Sequence, residues 1–152
     1  MRNFISEDDI EQAILQKLEG DPFQYGILRC DPSPDKRELL PDGTGRSSKK
    51  ECVLPLILRE ALARLNPDIP GEKLEEIARD LCRDFSATDM TATNYKYYNQ
   101  IRNGIKISLR RNGKEDFDFV KLVDFDRPEN NTFTAVSQMW IQGRVYWRRA
   151  DV

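Results

Sequence analysis

Carboxylates, lysines and arginines must carry any chemistry in this sequence, because it contains no histidine. That absence removes Ser-His-Asp and Cys-His catalysis and any histidine-ligated metal. The acid with the most suggestive neighbours is Asp151, in "RVYWRRADV". In an extended strand Arg149 and Asp151 share one face, and Arg148, Ala150 and Val152 the other. A carboxylate flanked by arginines is consistent with a solvated ion pair of little energetic value. It is equally consistent with a metal-binding carboxylate whose guanidiniums are set for phosphate oxygens. Spacing alone leaves both readings open.

Two further acid groups draw attention. "DFDRPENN" clusters Asp124, Asp126 and Glu129, oxygen ligands of the kind Ca²⁺ accepts. The loop lacks the glycine and ordered spacing of a calcium hand, and Asp and Asn beside Pro128 have ordinary turn chemistry to do. Glu11 lies on the first expected helix, between Leu18 and Leu15 on the helical wheel, so an acid sits inside the apolar arc. Periodicity allows a Glu at the stripe's edge, its stem buried and its head in water. "GTGRSSKK" faintly resembles a phosphate-binding G-x-x-x-x-G-K-S/T loop. Ser48 replaces the second glycine, Lys50 the final Ser/Thr, and no strand precedes it, so a polar turn capping the next helix is expected instead.

The elements that must position these residues are readable in outline. "SEDDIEQAILQKL" is the first helix, with Ser6 and Asp9 forming a capping box and acids at the positive end of the dipole. Residues 20–48 are rich in proline and glycine and loop-like, with a short strand expected around Tyr25–Leu28. A second helix carries Leu54, Ile57, Leu58, Ala61, Leu62 and Leu65, and Pro55 requires that it begin close by. A third carries Leu74, Ile77, Ala78 and Leu81. Tyr95, Tyr98 and Ile101 mark a fourth, ended at Asn103-Gly104. The period then becomes alternating: Ile105, Ile107 and Leu109, a turn at Asn112-Gly113, and a return strand through Phe117, Phe119 and Leu122–Phe125. "TFTAVSQMWIQ" and "RVYWRRADV" complete the run. The predicted class is α/β or α+β, with helices packed on a partly antiparallel sheet. Residues 1–103 form its mainly helical part and 104–152 a strand meander.

Composition narrows the function classes. At 152 residues, with 39% hydrophobic and 33% charged residues, the chain suits one soluble domain with a real core, or one domain plus an appended helical piece. No apolar run approaches a membrane span, and the N-terminus lacks a signal-peptide core. Three cysteines without paired spacing point to reduced thiols in a cytosolic setting. The net charge of −2 hides an excess of basic residues after residue 90, the half able to face phosphate. The chain also stops inside an expected strand, one residue past a carboxylate, where a frayed polar tail is usual. The expectation is a piece of a longer protein.

"VDFDRPENNTFTAVSQMWIQGRVYWRRADV" resembles the N-terminal nuclease region of the R subunit of type I restriction enzymes, where I-D-F-x-x-P-E-x-N-x-F leads through a V-x-N-Q strand to R-R-P-D. "LREALARLNPDIP", "NGIKISLRRNGKE" and the opening helix with Glu11 extend the likeness. The resemblance implies an incomplete restriction-endonuclease-like fold of the PD-(D/E)xK class. Asp151 matches the first catalytic, metal-binding acid. No Asp or Glu here has a Lys two residues later, so the family's E-x-K is expected beyond Val152, and residues 1–152 alone should not cleave. Glu11 matches a first-helix acid that related nucleases add to the site, and Arg148 and Arg149 would hold DNA phosphates. Ala150 replaces the usual proline and Ser137 the usual asparagine, while Gln138 is kept.

The family's cofactor is Mg²⁺, with ATP used by a motor domain that this sequence does not contain. Its partners are double-stranded DNA and the methyltransferase and specificity subunits, in the bacterial or archaeal cytoplasm. The intact complex would cleave unmodified DNA far from its recognition site. The alternative is a non-enzymatic docking or DNA-contact module, which the acidic first half and leucine-rich helices suit, or a degenerate nuclease fold used as scaffold.

Overall fold

The computed structural model describes residues 5–83, 89–111 and 113–152. Its helices are α1 (Glu7–Glu19), α2 (Pro55–Leu65), α3 (Gly71–Cys82) and α4 (Met90–Asn103). Its strands are β1 (Gly26–Arg29), β2 (Ile105–Arg111), β3 (Lys114–Val120), β4 (Thr134–Ser137), β5 (Met139–Gln142) and β6 (Trp147–Ala150). Pairs β2–β3 and β5–β6 are antiparallel and β1–β4 is parallel. The class is the expected α+β mixture. The chain divides into two compact units, Met1–Leu54 with Thr132–Val152, and Pro55–Asn131. No helix among the described residues is long and apolar enough to cross a membrane.

In the 55–131 unit, Pro55 is the first residue of α2, where its missing N–H leaves no helical bond unmade. The predicted seams meet: Leu62, Leu74, Ile77 and Ala78 are buried with Ile69, Leu109 and Val120. Arg59 of α2 grips Glu75 of α3 with two hydrogen bonds, of 2.8 and 3.0 Å. Asn66 is buried where α2 ends, donating to the Leu62 and Lys121 carbonyls and accepting from the Lys121 N–H. α4 stops at Gly104, whose φ of 79° and approach to the Val120 carbonyl, 2.9 Å from where a Cβ would sit, require glycine.

One strand expectation needs correction here. The return strand ends at Val120, so Leu122–Phe125 lie outside it. Ile105 pairs with Val120, which sets Val120 on the core face with Ile105, Ile107 and Leu109. Phe117 and Phe119 therefore point outward, with Lys106 over the Phe117 ring at 4.3 Å. A one-residue difference in phase reverses every side chain of a strand. Of the Asn112-Gly113 turn, Asn112 lies outside the described residues, and Gly113 has φ 76°. The expected fourth helix is α4, and its Tyr95, Tyr98 and Ile101 side chains are exposed.

The "DFDRPENN" segment does turn chemistry. Asp124 is buried and accepts from the Arg127 N–H and the Asn130 amide, while its own N–H donates to Asn131. The Asn130 hydrogen bond is the main reason its carboxyl sits below the usual carboxylate range.

The other unit is built around α1 and the strands near the C-terminal end. Ser6 and Asp9 form the predicted capping box: the Asp9 N–H donates to the Ser6 hydroxyl, and the Ser6 N–H to the Asp9 carboxylate. The expected strand in the 20–48 loop is β1, and its partner is β4, in register Gly26↔Thr134 to Arg29↔Ser137. The expected meander is thus replaced here by a parallel pairing between distant segments. The long third strand is broken at Gln138, whose φ of 59° turns the chain from β4 into β5. β5 then pairs with β6, from Met139↔Ala150 to Gln142↔Trp147.

Candidate active site

α1 buries an unexpected face. Ile10 and Ile14 are exposed, whereas Glu11 and Leu15 are buried, Glu11 retaining only 8% of its surface. Glu11 is not an edge residue with its head in water. Its carboxylate accepts hydrogen bonds from the Ser137 hydroxyl and the Gln138 side-chain amide. Such bonds offset the cost of taking a carboxylate out of water and fix its direction.

Gln138 joins the two predicted acids. Besides holding Glu11 through its side chain, it donates its backbone N–H to the Asp151 carbonyl at 3.1 Å. Left-handed backbone is rarely adopted by a residue other than glycine, asparagine or aspartate and costs about 1–3 kcal/mol, so it persists where surroundings enforce it. Here the switch from the parallel to the antiparallel pairing enforces it. The remaining amide oxygen of Gln138 is buried and accepts no hydrogen bond.

Glu11 and Asp151 line one open cleft of about 530 Å³, with Ser6, Glu7 and Asp8 at the start of α1, Arg29 and Cys30 on and after β1, and Ser137, Gln138 and Arg149. Arg149 is held on three sides: its guanidinium donates to the Pro32 carbonyl at 3.2 Å, lies over the Trp140 ring at 5.7 Å, and sits 3.6 Å from the Asp151 carboxylate. Arg148 is on the opposite face of β6, over the Tyr146 ring at 5.6 Å, and does not line the cleft. Three of the four predicted site residues are thus brought together and the fourth is not. Burial raises the Cys30 thiol above its ordinary value, so it is a poor nucleophile.

Hard carboxylate oxygens from Glu11 and Asp151 suit Mg²⁺ in chemical type. Among the described residues no three of His, Cys, Asp and Glu gather into a metal-binding group.

A network missed by sequence reasoning lies in the same unit as the cleft. The "GTGRSSKK" segment is not a solvated capping turn: Thr44, Arg46 and Lys49 are buried. Asp42 binds Arg46 at 2.8 Å and also pairs with Lys49 and Thr44. Burial alone would raise the Asp42 carboxyl, but hydrogen bonds from Lys49, Thr44 and Arg46 outweigh it and hold it well below the usual range. Arg46 also donates to the Trp140 carbonyl at 3.1 Å, and Gln142 N–H to the Lys49 carbonyl at 2.9 Å, which fastens this loop to β5. The only signal in the sequence was Arg46 and Lys49 following Asp42 at four and seven residues.

Over residues 4–152 the chain matches the protein family described as type I restriction enzyme R protein N terminus. It is 29% identical over 140 residues to the type I restriction enzyme HindI endonuclease subunit of Haemophilus influenzae, covering 92% of this chain and 13% of that protein. A protein of Methanocaldococcus jannaschii provisionally named type I restriction enzyme MjaIXP endonuclease subunit is 25% identical over 136 residues, 88% of this chain and 12% of that protein. The chain therefore spans a small fraction of the length of these curated relatives. No solved structure gives a significant match. A match running through α1, the β1–β4 pair and the β5–β6 hairpin covers every element that lines the cleft, and the chain belongs to the family of type I restriction enzyme R protein N-terminal regions.

Proposed function

We propose that this chain supplies the first half of a Mg²⁺-dependent phosphodiesterase site, acting within a larger ATP-driven restriction complex on unmodified double-stranded DNA. The observation that carries the reading is that Glu11 and Asp151 line one cleft and are joined through Gln138. Glu11 and Asp151 would hold Mg²⁺, which when bound polarises phosphate and lowers the pKa of its water. Ser137 and Gln138 orient the Glu11 carboxylate. Arg149, fixed by Pro32 and Trp140, offers guanidinium N–H groups to a phosphate oxygen beside Asp151, and Arg148 reaches backbone further out. The second acid and the lysine of the site come from outside residues 1–152, and the methyltransferase and specificity subunits supply recognition.

Cleavage of supercoiled plasmid by the full-length subunit assembled with its partners tests this. Glu11→Gln and Asp151→Asn should each reduce cleavage by at least about 100-fold, the scale of disturbing a metal site, while ATP hydrolysis persists. Wild-type cleavage by Asp151→Asn sinks the proposal. Purified residues 1–152 should leave the plasmid intact with Mg²⁺.

A second reading, a docking module, draws on α4, where Met90, Tyr95, Tyr98 and Ile101 are exposed. Loss of complex assembly on Tyr95→Ser with Tyr98→Ser, at unchanged folding, would favour it.

A further inference from the structure

The end of the β5–β6 hairpin remote from the cleft is basic and free of acids, as is the longer run of residues 90–114. Between Glu129 and Asp151 there is no acidic residue, and the only charges are Arg144, Arg148 and Arg149. The tip is a tight turn: the Gly143 N–H donates to the Tyr146 carbonyl at 2.8 Å, and a Cβ at position 143 would stand 2.9 Å from that oxygen. This turn projects an apolar pair, with Val145 77% and Tyr146 67% exposed. Arginines lie against the hairpin's aromatic rings, Arg148 over Tyr146 at 5.6 Å and Arg37 over Trp147 at 5.3 Å. Arg144 and Arg148 have no acidic partner among the described residues.

Stacking an arginine on a ring leaves its N–H edge free for phosphate while restricting its motion. An acid-free tip of arginine and aromatic residues complements a polyanion and would repel few of its phosphates. A protein surface matching it would need its own acid cluster and would gain nothing from the hairpin's position. That position is informative, since β6 links Tyr146 at the tip to Asp151 in the cleft. The five residue steps from Tyr146 to Asp151, if extended throughout, span about 16 Å, close to the rise of five nucleotides of one DNA strand.

We propose that the Arg144–Tyr146 tip, with Arg148 on its flank, grips the backbone of double-stranded DNA about five nucleotides from the cleft, with Val145 and Tyr146 set against a groove edge. Arg144 and Arg148 contact phosphates, and the apolar pair lies against sugars and base edges. The proposal rests on reading the cleft as a phosphodiester site, and it adds the element that presents DNA to it.

Fluorescence anisotropy of a labelled 20-base-pair duplex, titrated with the 152-residue chain at several salt concentrations without divalent cations, is the test. The wild-type chain should bind with a salt-dependent affinity. Arg144→Ala and Arg148→Ala should each reduce the log–log salt slope by about 0.9. Tyr146→Ala should weaken binding about fivefold or more, with tryptophan fluorescence reporting intact folding. No salt-dependent binding by the wild-type chain overturns the proposal. So do tip variants that bind DNA like wild type, including variants that instead fail to assemble with the other subunits, which would assign the tip to a protein interface. The cleft reading fails separately: tip-dependent binding together with undiminished cleavage by Asp151→Asn keeps the hairpin and discards the cleft, and the reverse pattern does the opposite.

Discussion

The two units bury opposite kinds of side chain. The 55–131 unit is centred on Leu62, Ile69, Leu74, Ile77, Ala78, Leu109 and Val120, with Asn66 and Asp124 buried only where they tie down chain turns. The other unit buries Leu15, Cys30, Ala135 and Met139 beside Glu11, Thr44, Arg46, Lys49 and Ser137. An apolar interior is held by non-directional burial that tolerates repacking. A buried ionic interior survives only if every charge finds its partner in the right direction. The chain keeps the more demanding arrangement in the unit that carries the cleft. There it fixes the direction of Glu11 and fastens the 42–49 loop to β5.

That comparison can be broken most forcefully at Asp42. Both tryptophans, Trp140 and Trp147, lie in the cleft-bearing unit, so their fluorescence reports its unfolding. Asp42→Asn leaves Arg46 and Lys49 buried without their anion, and the expected loss in denaturant titrations is about 3–5 kcal/mol. The pH dependence has a definite sign. Because the folded carboxyl is held below its unfolded value of about 3.9, its contribution is present above that pH and disappears as the pH falls toward the folded value. Asp42→Asn should therefore flatten the acid limb of the fluorescence-detected stability profile. An unchanged limb would mean that the network is not what holds this unit together.

Leu62→Ala tests the other interior. Leu62 keeps 1% of its surface, and truncation should cost about 2–4 kcal/mol through lost burial and a cavity. Its effect should appear in far-ultraviolet circular dichroism, which reports α2, α3 and α4, and should depend little on pH. A strong pH dependence would blur the distinction between the units. The smallest effect is expected at Phe117→Ser. With the aromatic side chain on the outer face of the β2–β3 pair, stability should change by no more than about 0.5 kcal/mol. A loss of several kcal/mol would mean that Phe117 is packed in a core and that the strand phase is the opposite of the one described.

Family membership was legible because motifs such as "DFDRPENN" and "RRAD" survive as strings, whatever their neighbours in space. The elements were legible for a similar reason. The Ser6–Asp9 capping box, the seams of α2 and α3, the start of α2 at Pro55 and the stop of α4 at Gly104 depend on residues within a turn or two. Glu11 shows the limit. Its place inside an apolar arc was visible, but two outcomes fitted that placement until Ser137 and Gln138 were brought to it across more than a hundred residues.

The sequence by itself determined which chemistry is available: no histidine, carboxylates at Glu11 and Asp151, and arginines beside the second. Local rules also set where helices begin and end. Only the tertiary structure decided which of those groups meet. It paired β1 with β4, turned Gln138 into the left-handed region, chose Val120 over the phenylalanines for the core face, and sent Arg148 away from the cleft that holds Arg149. The physical reason is that a helix is encoded by neighbours three and four residues apart, whereas strand partners and strand phase are set by whichever distant surfaces bury the most while leaving no charge unpaired.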